Sequence, residues 1–111
     1  MNNKALVIQD NQSQLFNCND FMSVRNLTAE FCSSGSSALS AFQVKRYKCV
    51  LVSMDMQHEN PLSIIRELRA TEVTRGLRPT QILVISSARQ PTQTEIEKLK
   101  INGQIRPHHM R

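Results

Sequence analysis

The sequence has no tryptophan, one tyrosine and four phenylalanines, so it offers few rings for stacking on nucleic-acid bases. Long apolar runs are missing as well. The longest, such as Ala5-Leu6-Val7-Ile8, have four residues, against the ~20 that a membrane-crossing helix needs, so no membrane partner is expected. The three cysteines, Cys18, Cys32 and Cys49, form an odd set without CxxC spacing. That argues against a disulfide framework and for reduced thiols in a cytoplasmic protein. Glycine is scarce, no low-complexity segment or repeat is present, and the adjacent His108 and His109 near the end do not make a metal site. Acids are the minority: nine Asp and Glu stand against fourteen Lys and Arg, for a net charge of +5.

What is present is a regular order of short apolar runs and helical stripes in a single domain spanning 1–111. Ala5 to Ile8, Cys49 to Val52 and Ile82 to Ile85 are apolar without alternation, as in strands covered on both faces of a parallel sheet. A weaker strand is expected over Leu27 to Phe31, where Leu27, Ala29 and Phe31 alternate with Thr28 and Glu30. Helical stripes lie between the strands: Leu15, Cys18 and Met22 with Phe21 beside them; Ala38, Leu39 and Phe42; Ile64, Ile65 and Leu68; and Ile96 with Leu99. Ser36 or Ser37 is expected to cap the second helix, Pro61 to sit in the turn leading into the third, and Pro91 to open the fourth, over Glu95 to Leu99. Strands alternating with helices predict an α/β fold with a doubly wound parallel sheet of five strands. Working groups in such sheets sit at the carboxyl ends of the strands, near the switch in strand order. That directs attention to Gln9-Asp10, Ser53 and Ser86-Ser87.

From Lys4 to Ser87 the sequence resembles the receiver domains of two-component response regulators and hybrid histidine kinases, a flavodoxin-like fold. The run from Ala5 to Asn11 resembles the receiver opening, in which a strand leads into two adjacent acids. Gly35 with Ala38-Leu39 resembles the family's glycine and second helix, and Tyr47 the aromatic residue opening the third strand. Arg66, Leu68 and Arg69 resemble the third helix. Pro79-Thr80 and the run to Ser86-Ser87 resemble the fourth strand with its terminal hydroxyl, and Arg106-Pro107 the Lys-Pro pair after the fifth.

Counting without gaps from Gly35 through Tyr47 to Arg66 and Arg69, the phosphoacceptor position implied by the resemblance falls on Ser53. Asp55 would need two compensating indels, and it lies ~6.6 Å farther along an extended strand at ~3.3 Å per residue. Gln9 replaces the first acid of the pair, leaving Asp10, and Arg106 replaces the lysine with a planar donor. The resemblance therefore implies a degenerate or pseudo-receiver with a relict phosphorylation site at Ser53, Asp10, Gln9, Ser86 and Arg106. It assigns no catalytic residue, no metal and no cofactor. Its partners would be a histidine kinase, a phosphotransfer domain or response regulator, or a second copy, docked in a cytoplasmic phosphorelay. The alternative is a phosphorylatable receiver with Asp55 as acceptor and Asp10 holding Mg²⁺.

Gln57, His58 and Glu59 form a polar loop beside the site, where His58 reads as a solvated histidine. Residues 88–111 diverge from the pattern, and the chain stops where the family's C-terminal helix should begin. That absence is expected to leave apolar surface on the central strands for a partner to cover. The arginines of the third-helix region, Arg66, Arg69, Arg75 and Arg78, are the expected docking face. The clusters Lys45-Arg46-Lys48 and Lys98-Lys100 complete the basic surface. Dispersed over several elements, these cations read singly as solvated faces and next as marks of an acidic protein partner. A nucleic-acid-binding module is a third class.

Overall fold

A computed structural model describes residues 3–10, 19–86 and 89–106 of the chain. Leu15, Cys18, Ser87, Pro107, His108 and His109 lie outside the described residues. The element order is β1 (Lys4–Ile8), α1 (Asn19–Arg25), β2 (Thr28–Cys32), α2 (Gly35–Val44), β3 (Cys49–Ser53), α3 (Pro61–Arg75), β4 (Gln81–Ile85), α4 (Gln93–Leu99) and β5 (Gly103–Ile105). All strand pairs are parallel and the sheet order is β2-β1-β3-β4-β5. The doubly wound five-stranded sheet expected from the apolar runs is therefore present, with its switch in strand order between β1 and β3. Among the described residues no helix follows β5.

The unbroken apolar runs arise because β1, β3 and β4 are buried on both sides. Leu6, Ile8, Val50, Val52, Ile82 and Val84 face α2 and α3, where Phe42, Ile65 and Leu68 meet them. Ala5, Val7, Cys49, Leu51, Leu83 and Ile85 face the other way, with Met22 of α1. Among the described residues the apolar surface expected on the central strands is not exposed, since Leu51 is 0%, Leu83 9% and Ile85 3% exposed. The large apolar side chains that are exposed among the described residues are Val24, Phe31, Val44 and Val73.

Several local expectations shift. The cap of α2 is Ser34, whose hydroxyl accepts the Ser37 N–H, and not Ser36 or Ser37. Asn60 caps α3 ahead of Pro61, which occupies a first-turn position where its missing N–H costs nothing. The cap of α4 is Thr92, with Glu95 completing a capping box, so Pro91 precedes the helix without opening it. Phe31 points outward, 59% exposed, because β2 is an edge strand and alternation alone does not say which side is covered.

Candidate functional site at the carboxyl edge of the sheet

Three adjacent strands deliver the site residues named from the sequence. On β1, Ile8 pairs with Val52, and Gln9 N–H then donates to the Cys32 carbonyl at 3.0 Å. Asp10 follows, 7% exposed. On β3, Ser53 is the last strand residue, 3% exposed and in register with Ile85 of β4. On β4, Ile85 is followed by Ser86, 1% exposed, whose N–H donates to the Ile105 carbonyl at 2.9 Å. Arg106 lies exposed just after β5. Asp10, Ser53 and Ser86 thus come together on neighbouring strand ends at the switch point.

The loop after β3 is tied down in a way that separates Ser53 from Asp55. Met54 and Met56 are buried at 1% and 4%, joining Val50 and Val52 in the core under α2 and α3. Met54 N–H donates to the Ile85 carbonyl at 2.9 Å, and Asp55 N–H donates to Ser53 Oγ at 3.1 Å. A serine that accepts from the N–H two residues on is a turn-forming serine. Asp55 therefore sits in the turn, half-buried, between two core methionines. These inward methionines leave no mark in the apolar pattern, because Met54 and Met56 flank a charged residue.

Asp10 is occupied in positioning the same loop: its Oδ2 accepts the Gln57 N–H at 2.8 Å and the His58 N–H at 3.4 Å. Glu59 provides a second anchor that the sequence did not point to. Its two carboxylate oxygens accept the Gly35 N–H at 2.9 and 3.1 Å, joining the loop to the amino end of α2. This approach explains the glycine. A Cβ on residue 35 would stand 2.6 Å from Glu59 Oε1 and 3.0 Å from Ile64 Cγ1. The side chain of Gln9, where the receiver pattern has an acid, keeps its Oε1 buried without a hydrogen-bond partner.

The arginines of the expected docking face do not share one surface. At 3.6 residues per turn, Arg66 and Arg75 stand about half a turn apart around α3. Arg69 is turned inward and fully engaged: Nε donates to the Leu99 carbonyl, Nη1 to the Thr80 carbonyl and Glu72 Oε1, and Nη2 to the Lys100 carbonyl and Asn102 Oδ1. It staples α3 to β4 and to the turn before β5. Arg75 Nη1 donates to the Gln43 carbonyl at the end of α2. Arg66 is exposed beside Leu62, Glu95, Lys98 and Leu99, and Arg78 is exposed after α3.

Comparisons with other proteins address the fold. No protein-family model matches the sequence, and no curated protein matches it. Solved structures do match. The CheY-like response regulator receiver domain from Methylobacillus flagellatus superposes with a TM-score of 0.69 at 19% identity, covering 96% of this chain and 86% of that one. A mutant receiver domain of the histidine kinase CKI1 from Arabidopsis thaliana gives 0.72 at 19% identity, covering 94% and 80%. The receiver domain of the Saccharomyces cerevisiae response regulator Ssk1, crystallised with the phosphotransfer protein Ypd1, gives 0.71 at 12% identity, covering 95% and 78%. The chain has the receiver fold.

On this receiver fold the donor set at the carboxyl edge suits Mg²⁺ badly. The ion takes oxygen ligands, usually one or two carboxylates together with phosphate oxygens. Here one oxygen of Asp10 already accepts two backbone N–H groups, and the preceding residue is the neutral Gln9. Among the described residues no three His, Cys, Asp or Glu side chains gather into a metal-binding group. No helix among them is long and apolar enough to cross a membrane.

Proposed function

We propose that this chain is a pseudo-receiver: a protein-interaction module of two-component signalling, working in the cytoplasm, whose state is set by its sequence or its partner and not by an aspartyl phosphate. One observation carries the reading: the last residue of β3 is Ser53, buried, in strand register with Ile85 and closed over its own turn. A receiver is a two-state element biased by one phosphoryl group. With a hydroxyl in place of the acceptor carboxylate, the population of the two states is left to intrinsic energetics and to binding. Asp10 supports this reading because its carboxylate holds the 54–60 loop by backbone N–H groups. In this role the relict set of Ser53, Asp10, Gln9, Ser86 and Arg106 is structural, with no cofactor and no catalytic step.

The partner class is a histidine kinase, a phosphotransfer domain, a response regulator or a second copy. The Ypd1 complex of the Ssk1 receiver supports the general class, since a receiver of the same fold there meets a phosphotransfer protein. The alternative acceptor is Asp55, which stands half-buried in the turn after β3. Incubation with a small-molecule acyl phosphate and Mg²⁺, followed by intact mass, separates the two readings. The pseudo-receiver gains no stable phosphoryl group. A gain that Ser53→Ala keeps and Asp55→Ala loses would overturn the proposal.

A further inference from the structure

The opposite edge of the sheet carries a surface that the carboxyl-edge site does not use. The carboxyl ends of α2 and α3 with the loops after them, residues 43–48 and 74–80, lie side by side: Arg46 Nη2 donates to the Arg78 carbonyl and Arg75 Nη1 to the Gln43 carbonyl. These two segments contain Lys45, Arg46, Lys48, Arg75 and Arg78 and no acid. Lys45 is partly neutralised by Glu30, which it shares with Lys4. Between the carboxyl-terminal halves of α2 and α3 runs an open groove of about 660 Å³, with Val44, Ala70, Thr74 and Arg75 in its walls and Glu67 at the far end. One valine of its lining stands exposed, Val44 at 81%.

Cations in the last turn of a helix are favoured by the helix dipole. That accounts for Arg75, but not for Val44, left in water at the end of α2. We infer that this groove is a docking site for an acidic amphipathic segment of a partner protein, with apolar side chains on Val44 and Ala70 and carboxylates toward Lys48, Arg75 and Arg78. Charge decides the occupant: Arg75 stands at the carboxyl-terminal end of the groove, with Lys48 and Arg78 in the loops that follow the two helices, while Glu67 marks the other end, so the acids of the segment lie at the basic end. Nucleic acid fits less well, because the single tyrosine is buried with its hydroxyl on Glu30 and no aromatic residue lines the groove. A lipid surface fits less well for the same lack of interfacial aromatic rings. The inference stands independently of whether Ser53 or Asp55 is the acceptor position.

The test is a titration of the ¹⁵N-labelled full chain with a synthetic helical peptide of roughly five turns, leucine at i, i+3, i+4 and i+7 and glutamate elsewhere. Parallel titrations use its Glu→Gln version, a short DNA duplex and anionic phospholipid vesicles. The acidic peptide is expected to shift amides at Val44, Ala70, Thr74 and Arg75. Lys48→Glu with Arg78→Glu should weaken it by at least about tenfold, the equivalent of ~1.4 kcal/mol, and Val44→Ser should weaken it too. All three changes lie on exposed positions, and a retained amide spectrum confirms that the fold is kept. Shifts confined to other elements, equal binding of the glutamine peptide, or the same shifts produced at lower concentration by the duplex or the vesicles would overturn the inference.

Discussion

Two buried carboxylates, one at each edge of the sheet, show how differently the two ends of this molecule are built. At the amino edge, Glu72 is 2% exposed and faces a guanidinium: Oε1 accepts from Arg69 at 2.9 Å, and Oε2 accepts the Thr80 N–H at 2.6 Å. Arg69 in turn saturates the carbonyls of Thr80, Leu99 and Lys100. At the carboxyl edge, Asp10 is 7% exposed and reaches across the fold to backbone N–H groups of a loop. The first arrangement locks α3, β4 and the approach to β5 into one geometry, since removing either charge strands the other in a partly dry site. The second holds a single loop from one side. Asp10 acts on backbone N–H groups, Glu72 on a side-chain cation and a backbone N–H together.

That contrast predicts unequal costs. Glu72→Ala leaves Arg69 without its counter-charge and the Thr80 N–H without its acceptor, and should destabilise the chain by about 3–5 kcal/mol. Denaturant unfolding would show this as a lower midpoint at unchanged slope. A loss under about 1 kcal/mol would mean that water reaches the Arg69 knot and that the amino edge is no more rigid than the other.

Asp10→Ala should cost less, about 1–3 kcal/mol, the range for removing the acceptor of backbone N–H groups at a partly buried site. Its sharper readout is local. Amide exchange at Gln57 and His58 should accelerate while Thr80, held by Glu72, keeps its protection. Uniform acceleration at both edges would erase the distinction between a local tether and a global lock.

These unequal roles also mark what the sequence could reveal. The sheet was readable because β1, β3 and β4 are covered on both faces, so hydrophobicity alone wrote their positions. Ser53 could be placed at the end of β3 because that strand is one such run and the spacing from Gly35 is unbroken. Arg69 could not be sorted from Arg66, since periodicity tells which residues share a face and not what lies beyond it. Its partners at Thr80, Leu99 and Lys100 belong to other elements. Five residues between Ser33 and Ser37 include four serines, any of which has the chemistry of a cap, and only backbone geometry selects Ser34. The Glu59 clasp on Gly35 spans 24 residues and leaves no local pattern. Met54 and Met56 escaped because burial continues past the last strand residue into a turn that carries a charge.

The smallest effect belongs to a third carboxylate, Glu30 on the edge strand β2, which tests whether charge pairing alone makes a lock. Lys45 first, then the Tyr47 hydroxyl and more weakly Lys4, hold its carboxyl down at about 2 from the usual 4.5, against the opposing effect of partial burial. Because the folded value lies below the unfolded one, the interaction contributes fully above about 4.5 and is lost as pH falls toward about 2. The stability difference between the native chain and Glu30→Gln should therefore be widest near neutral pH and close over that window. Its side chain is 28% exposed and its lysine partners are more so, so salt should shrink the neutral-pH difference, which it should not do for Glu72. A difference that stays constant from neutral pH to about 2 would mean that Glu30 acts by packing against Tyr47 and not by its charge. The contrast between the edges would then rest on burial more than on pairing.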